Sequence, residues 1–281
     1  MRKTQTFQLV LTGLFAAIII IMAFTPLGYI PLVVINATII HIPVILGSLF
    51  CGPKKGGALG FLFGFTSFLN NTLKSASLSA FVFSPVLAYQ MVGVTGIFKS
   101  IFICFVPRIL VGVVPYFVYR LVKRVLVSEK KALWGTVLNL VIGLFLFVGI
   151  RAFIGKQTEN TTLALVVAAV VAVLAAASLI VVSMKREGKF VAFAYAGVAG
   201  SMTNTLLVMG SIYVLYKEAY AQALSVSPDA VLGIIEGVIS FNGVIEAIVA
   251  AILISAVGVV LAKAQPVYEK QLGEAGAKKA A

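Results

Sequence analysis

Arg108 stands in the run Phe105-Val106-Pro107-Arg108-Ile109-Leu110, a cation among apolar neighbours. A guanidinium offers a planar fork of donors that suits a carboxylate or a phosphate, and at membrane depth it is costly unless paired. Its partner is therefore an anionic ligand or an internal carboxylate such as Glu236 or Glu246. Pro107 removes one backbone donor and frees a carbonyl close by. Asn242 and Glu246 are four residues apart and so lie on one helical face. Such a pair points at a ligand or clamps two helices together by hydrogen bonds. Asn204, in Thr203-Asn204-Thr205, is an amide that needs partners wherever it is buried. Asn36, Thr38 and His41 open another apolar stretch, and His41, the single His, is either a proton-coupling group or a satisfied interior side chain.

Other chemistry is disfavoured. No G-x-x-x-x-G-K-[ST] phosphate loop occurs, so ATP hydrolysis in this chain is not expected, and neither a G-x-S-x-G elbow nor an H-E-x-x-H pair is found. One His and two isolated cysteines, Cys51 and Cys104, make no zinc site, and no disulfide between them is expected. No cofactor is expected. The residues favour small-molecule binding or transport over enzymology.

These side chains must be positioned by elements that live in lipid. Of 281 residues, 61% are hydrophobic and 11% charged, too few charges for a water-facing surface. The net charge of +13 would suggest nucleic acid in a soluble protein, but the apolar excess argues against it. Apolar runs of the length needed to cross a bilayer cover 7–24, 31–51, 57–70, 101–121, 132–150, 163–184, 190–216 and 231–262, which predicts about eight spans. The first run, behind Arg2 and Lys3, reads as a retained span rather than a signal peptide. Residues 71–85 read as a polar loop and 86–99 as a short or re-entrant segment. The last run is too long for a straight perpendicular helix. Most Lys and Arg residues fall in segments that share one side if both termini are cytoplasmic. Facing an anionic leaflet, they account for the net charge. Gly56, Gly60 and Gly64 recur every four residues and let another helix approach closely. Gly13 and Ala17 repeat that spacing on the first span, as an internal packing stripe or as a docking surface.

The segments Asn36-Ala37-Thr38-Ile39-Ile40-His41-Ile42-Pro43-Val44, Phe81-Val82-Phe83-Ser84-Pro85, Phe105-Val106-Pro107-Arg108-Ile109-Leu110-Val111-Gly112, Gly200-Ser201-Met202-Thr203-Asn204-Thr205 and Asn242-Gly243-Val244-Ile245-Glu246-Ala247 resemble the substrate-binding S component of energy-coupling factor (ECF) vitamin transporters. Within that family the pattern is most similar to the pantothenate-specific branch.

The resemblance implies an all-α polytopic membrane protein with a six-helix core. The first four core helices would fill 1–127 and the last two 190–265. Residues 128–189 would be an inserted two-helix hairpin, and 266–281 a cytoplasmic tail. It implies a plasma-membrane location and a vitamin site near the outer face, closed by the loop between the first two spans and the loop around 70–85. The loaded chain would topple in the bilayer, driven by a membrane scaffold subunit and two ATPase subunits. Gly13 and Ala17 would then dock the scaffold, although the family usually shows Ala at both ends of that stripe. The expected ligand is pantothenate, with Arg108 on its carboxylate, Asn204, Asn242 and Glu246 on its hydroxyl and amide groups, and Asn36 and Phe83 completing a pocket near His41. The alternatives are riboflavin, folate, pyridoxine or another vitamin, or an ion-coupled secondary transporter.

Overall fold

The computed structural model describes residues 2–31, 36–74, 77–127, 131–158, 160–185 and 189–277. The basic residues at 130, 186, 278 and 279 lie outside them. Among the described residues the regular structure is helical apart from one small antiparallel strand pair. Helix α1 (Arg2–Phe24) leads into strands β1 (Tyr29–Pro31) and β2 (Asn36–Thr38), paired antiparallel with Tyr29 opposite Thr38. The apolar run 31–51 is therefore hairpin first and helix second: α2 spans only His41–Cys51. Its start falls where Pro43 can sit in the first turn, whose N–H groups have no intrahelical acceptor in any case.

Gly52, at φ +90°, ends α2, and Pro53 opens α3 (Pro53–Lys74). This helix runs four residues past the expected boundary at 70, and a short α4 (Ala80–Phe83) lies within the stretch read as a loop. Ser84 caps α5 (Pro85–Val92) by accepting from the Leu87 amide at 3.3 Å, with Pro85 as first helical residue. Gly93, at φ +72°, closes α5. The segment 86–99 is thus no single re-entrant piece, since Val94 already begins α6 (Val94–Val111). A break at Gly112 and Val113 separates α6 from α7 (Val114–Val127), so the expected span 101–121 is two helices.

Helices α8 (Lys131–Thr158) and α9 (Thr161–Lys185) pack chiefly on each other. Helix α10 (Lys189–Leu224) is kinked at Tyr216, whose hydroxyl donates to the Gly96 carbonyl at 2.8 Å and lies 2.8 Å from Ser100 Oγ. The final run is one continuous helical stretch with a π-helical turn inside it: α11 (Ala230–Val238) passes through Ile239–Gly243 into α12 (Val244–Ala277). Helix α12 thus continues through much of the segment expected as a tail. Among the described residues, five helical stretches are long and apolar enough to cross a membrane: Thr6–Phe24, Val94–Leu126, Leu133–Ala152, Phe190–Leu224 and Ala230–Ala264.

The glycine stripe packs inside the chain. Gly56 of α3 faces the carbonyl of Gly112, just past the end of α6, and Gly60 and Gly64 face those of Arg108 and Cys104 within it, each so close that a Cβ would collide with the backbone oxygen. Both helices repeat every four residues and run antiparallel, so the stripe sets the register of Arg108. Two apolar clusters flank this seam. One gathers Phe81, Phe83, Ile103, Met209 and Tyr216, and the other Phe15, Ile45, Phe63, Phe193 and Ile254.

Candidate functional site

Arg108 sits where those two clusters meet. It is only 3% exposed, and its guanidinium lies 5.5 Å from the Phe63 ring centroid and 4.8 Å from that of Phe83. Pro107 has no N–H to offer the carbonyl four residues back, that of Ile103. Arg108 Nη1 donates to that carbonyl instead, at 2.6 Å. The proline thus creates the acceptor that turns the arginine side chain back along its own helix, and the two aromatic faces hold it there.

Arg108 forms part of the wall of a cavity. Helix α3 contributes Ser67 and Asn71, and the strap around α4 contributes Ser77, Ser79 and Phe83. Asn204, Thr205, Val208 and Met209 come from α10, Val238 and Asn242 from the end of α11 and the π-helical turn, Thr38 from β2, and Glu246 from α12. Cys104 Sγ donates to the Phe83 carbonyl at 3.0 Å, and Ser100 Oγ to the Phe81 carbonyl at 3.1 Å. Helix α6 therefore holds the α4 segment as well as Arg108.

Glu246 is the organiser of the far wall. Its Oε1 accepts from the Thr38 amide at 2.6 Å and from Thr38 Oγ1 at 3.3 Å, and its Oε2 accepts from Thr205 Oγ1 at 3.1 Å. One carboxyl group thus joins β2, α10 and α12. It also lies within electrostatic reach of Arg108. Asn204 is different: it is buried, and its Oδ1 has no hydrogen-bond partner among the described residues. A ligand with a hydroxyl or amide donor could match such an acceptor at a cavity wall.

Of the residues singled out from the sequence, Arg108, Asn204, Asn242, Glu246 and Phe83 come together on this cavity. The Asn36 side chain lies outside the described residues; its backbone pairs with Pro31 in the hairpin. His41 does not line the cavity. It is buried at the start of α2, and neither ring nitrogen has a partner among the described residues. Gly13 and Ala17 do not line the cavity and are exposed on α1. The residues that went unnoticed are chiefly Ser67, Asn71, Ser77 and Ser79. Ser67 and Asn71 are four apart on α3, the same signal that marks Asn242 and Glu246, but a helix boundary drawn at 70 divides them.

The arrangement is one buried cation, one carboxylate already occupied in tying elements together, and a ring of neutral hydroxyls and amides beside the apolar Val208, Met209 and Val238. It can hold an anionic, hydroxylated small molecule. No group of three or more His, Cys, Asp or Glu able to hold a metal occurs among the described residues.

Comparison with known proteins points to transport. A family model described as "ECF transporter, substrate-specific component" matches residues 7–169. The Pantothenic acid transporter PanT of Lactococcus lactis subsp. cremoris (strain MG1363) is 36% identical over 162 residues, 53% of this chain and 78% of that protein. No solved structure matches. The family match covers more than half the chain, and the protein belongs to the substrate-specific components of ECF transporters, a family of transport subunits and not of enzymes.

Proposed function

We propose that this chain binds pantothenate and delivers it as the membrane-embedded subunit of an ECF importer. The observation that carries the reading is Arg108, a buried cation in the wall of a cavity that also holds neutral hydroxyls and amides, a short apolar face and one carboxylate, Glu246, already tied to Thr38 and Thr205. Pantothenate has a carboxylate at one end, an amide in the middle, and two hydroxyls beside a branched dimethyl carbon at the other. Arg108 matches the carboxylate. Asn204, Asn242 and the serines match the amide and hydroxyls, with Asn36 at the hairpin as a further contact, and Val208, Met209 and Val238 match the dimethyl group. The 36% identical Lactococcus protein, named for pantothenic acid, supports the same ligand.

In this reading the core comprises six membrane helices and the α8–α9 pair, 128–189, is an insertion between 1–127 and 190–265, giving about eight spans. Both termini face the cytoplasm and the cavity opens outward. A membrane scaffold docks on α1 at Gly13 and Ala17. Two ATPases supply the energy, and the loaded chain topples to release its vitamin inside.

Uptake of radiolabelled pantothenate by cells expressing the chain with scaffold and ATPase subunits tests the proposal. ATP-dependent accumulation above cells lacking this chain is expected. Uptake of riboflavin, folate, pyridoxine or biotin in its place would overturn the ligand, and uptake driven by a proton gradient without ATPases would overturn the class.

A further inference from the structure

A π-helical turn bonds i to i+5, is wider than an α-turn, and often occurs at functional sites. Here such a turn, Ile239–Gly243, brings Asn242 to the cavity. The element packed behind it is α8. Asn139, Ile142, Leu146 and Gly149 recur at spacings of three and four and are buried along one stripe of that helix. Ile142 and Leu146 form an apolar cluster with Val244, the residue that follows the π-helical turn. Gly149 approaches Val244 so closely that a Cβ at 149 would meet Val244 Cγ2. Helix α9 supports α8: its Ala164, Ala168 and Ala172 form a buried small-residue stripe, with Ala172 and Ala176 against Gly143 and Ala164 near Gly155.

We infer that α8 is a brace for the π-helical turn, and that Leu146 and Gly149 are positioning residues which hold Asn242 toward the ligand through Val244. This gives the α8–α9 pair a role in affinity although none of its described residues lines the cavity. The inference rests on the reading of that cavity as the ligand site.

The test uses the full chain with Gly149→Leu and with Leu146→Ala, each alone and combined with Asn242→Ala. Gly149→Leu is expected to speed pantothenate dissociation at least ten-fold in the otherwise unchanged chain and less than two-fold in the Asn242→Ala background. Equal factors in both backgrounds mean that α8 does not act through Asn242 and overturn the inference. Hydrogen exchange of backbone amides 239–244, measured without ligand, reads the brace independently. Exchange there is expected to quicken at least ten-fold while 250–260 is unchanged, and unchanged exchange at 239–244 overturns the brace. If the unaltered chain fails to bind pantothenate, the ligand reading falls and hydrogen exchange alone decides. If Gly149→Leu does not fold, Leu146→Ala carries the same comparisons. Val173→Ala, on the exposed face of α9, is expected to change neither measurement, and an effect there equal to that of Gly149→Leu would also overturn the inference.

Discussion

Arg108 and Asn204 impose opposite trades between stability and binding. Arg108 satisfies the carbonyl that Pro107 leaves open and fills the space between two rings. Its loss therefore costs the fold as well as the ligand. Arg108→Ala is expected to weaken pantothenate binding at least ten-fold, about 1.4 kcal/mol, and to lower the melting temperature. Arg108→Lys keeps the charge but not the planar fork and should recover only part of the affinity. Binding calorimetry on the purified variants checks both. Asn204 brings an unmatched buried acceptor to the cavity wall. Asn204→Ala should leave the ligand-free protein as stable or more so, yet reduce affinity at least ten-fold. A lower melting temperature with unchanged affinity would make Asn204 a structural residue. Arg108, Asn204 and Asn242 were legible in the sequence because a polar side chain in an apolar run has few reasons to be there. The hydrogen bonds of Glu246 to Thr38 and Thr205 were not, because they join residues 208 and 41 positions apart.

At the scale of elements, the close approach of α3 to α6 sets the position of the cation. Gly60 lies against the Arg108 carbonyl itself, so any side chain there must drive the two helices apart. Gly60→Val is expected to cost at least about 2 kcal/mol and to displace Arg108, lowering both thermal stability and affinity. Gly13→Val, at a glycine with open space around it, should do neither. Melting curves of the two variants in the same detergent make the comparison. The every-fourth glycine pattern was readable as a packing stripe, and its partner became visible only once α6 lay beside it. Helix boundaries were less legible. Hydropathy measures the preference for lipid and not the backbone period, so an apolar run such as 31–51 scores alike as strand or helix. The break at Gly112 passes unnoticed for a related reason, since one or two residues barely alter the mean of a twenty-residue window. The π-helical turn adds one residue to a turn without changing composition at all.

For the whole molecule, the exposed face of α1 is where the proposed reading expects ligand binding and transport to separate. Leu9, Val10, Gly13, Leu14, Ala17, Ile20, Ile21 and Phe24 are all exposed, while Phe15, Ile19 and Ala23 hold the same helix to the core. A helix anchored along one stripe and apolar on the other faces either lipid tails or another membrane helix, and small residues at 13 and 17 allow the close backbone approach that lipid does not require. Gly13→Leu with Ala17→Leu fills that groove without touching the cavity, because nothing lies within 4 Å of a Cβ at Gly13. In the purified chain the double variant should bind pantothenate within two-fold of the unaltered protein. In cells with scaffold and ATPase subunits it should transport at least ten-fold more slowly, with less scaffold recovered on affinity capture. Unimpaired uptake would return the stripe to lipid. Equal losses of binding and uptake would place α1 in the architecture of the ligand site, because only a docking surface can lower transport while leaving affinity intact.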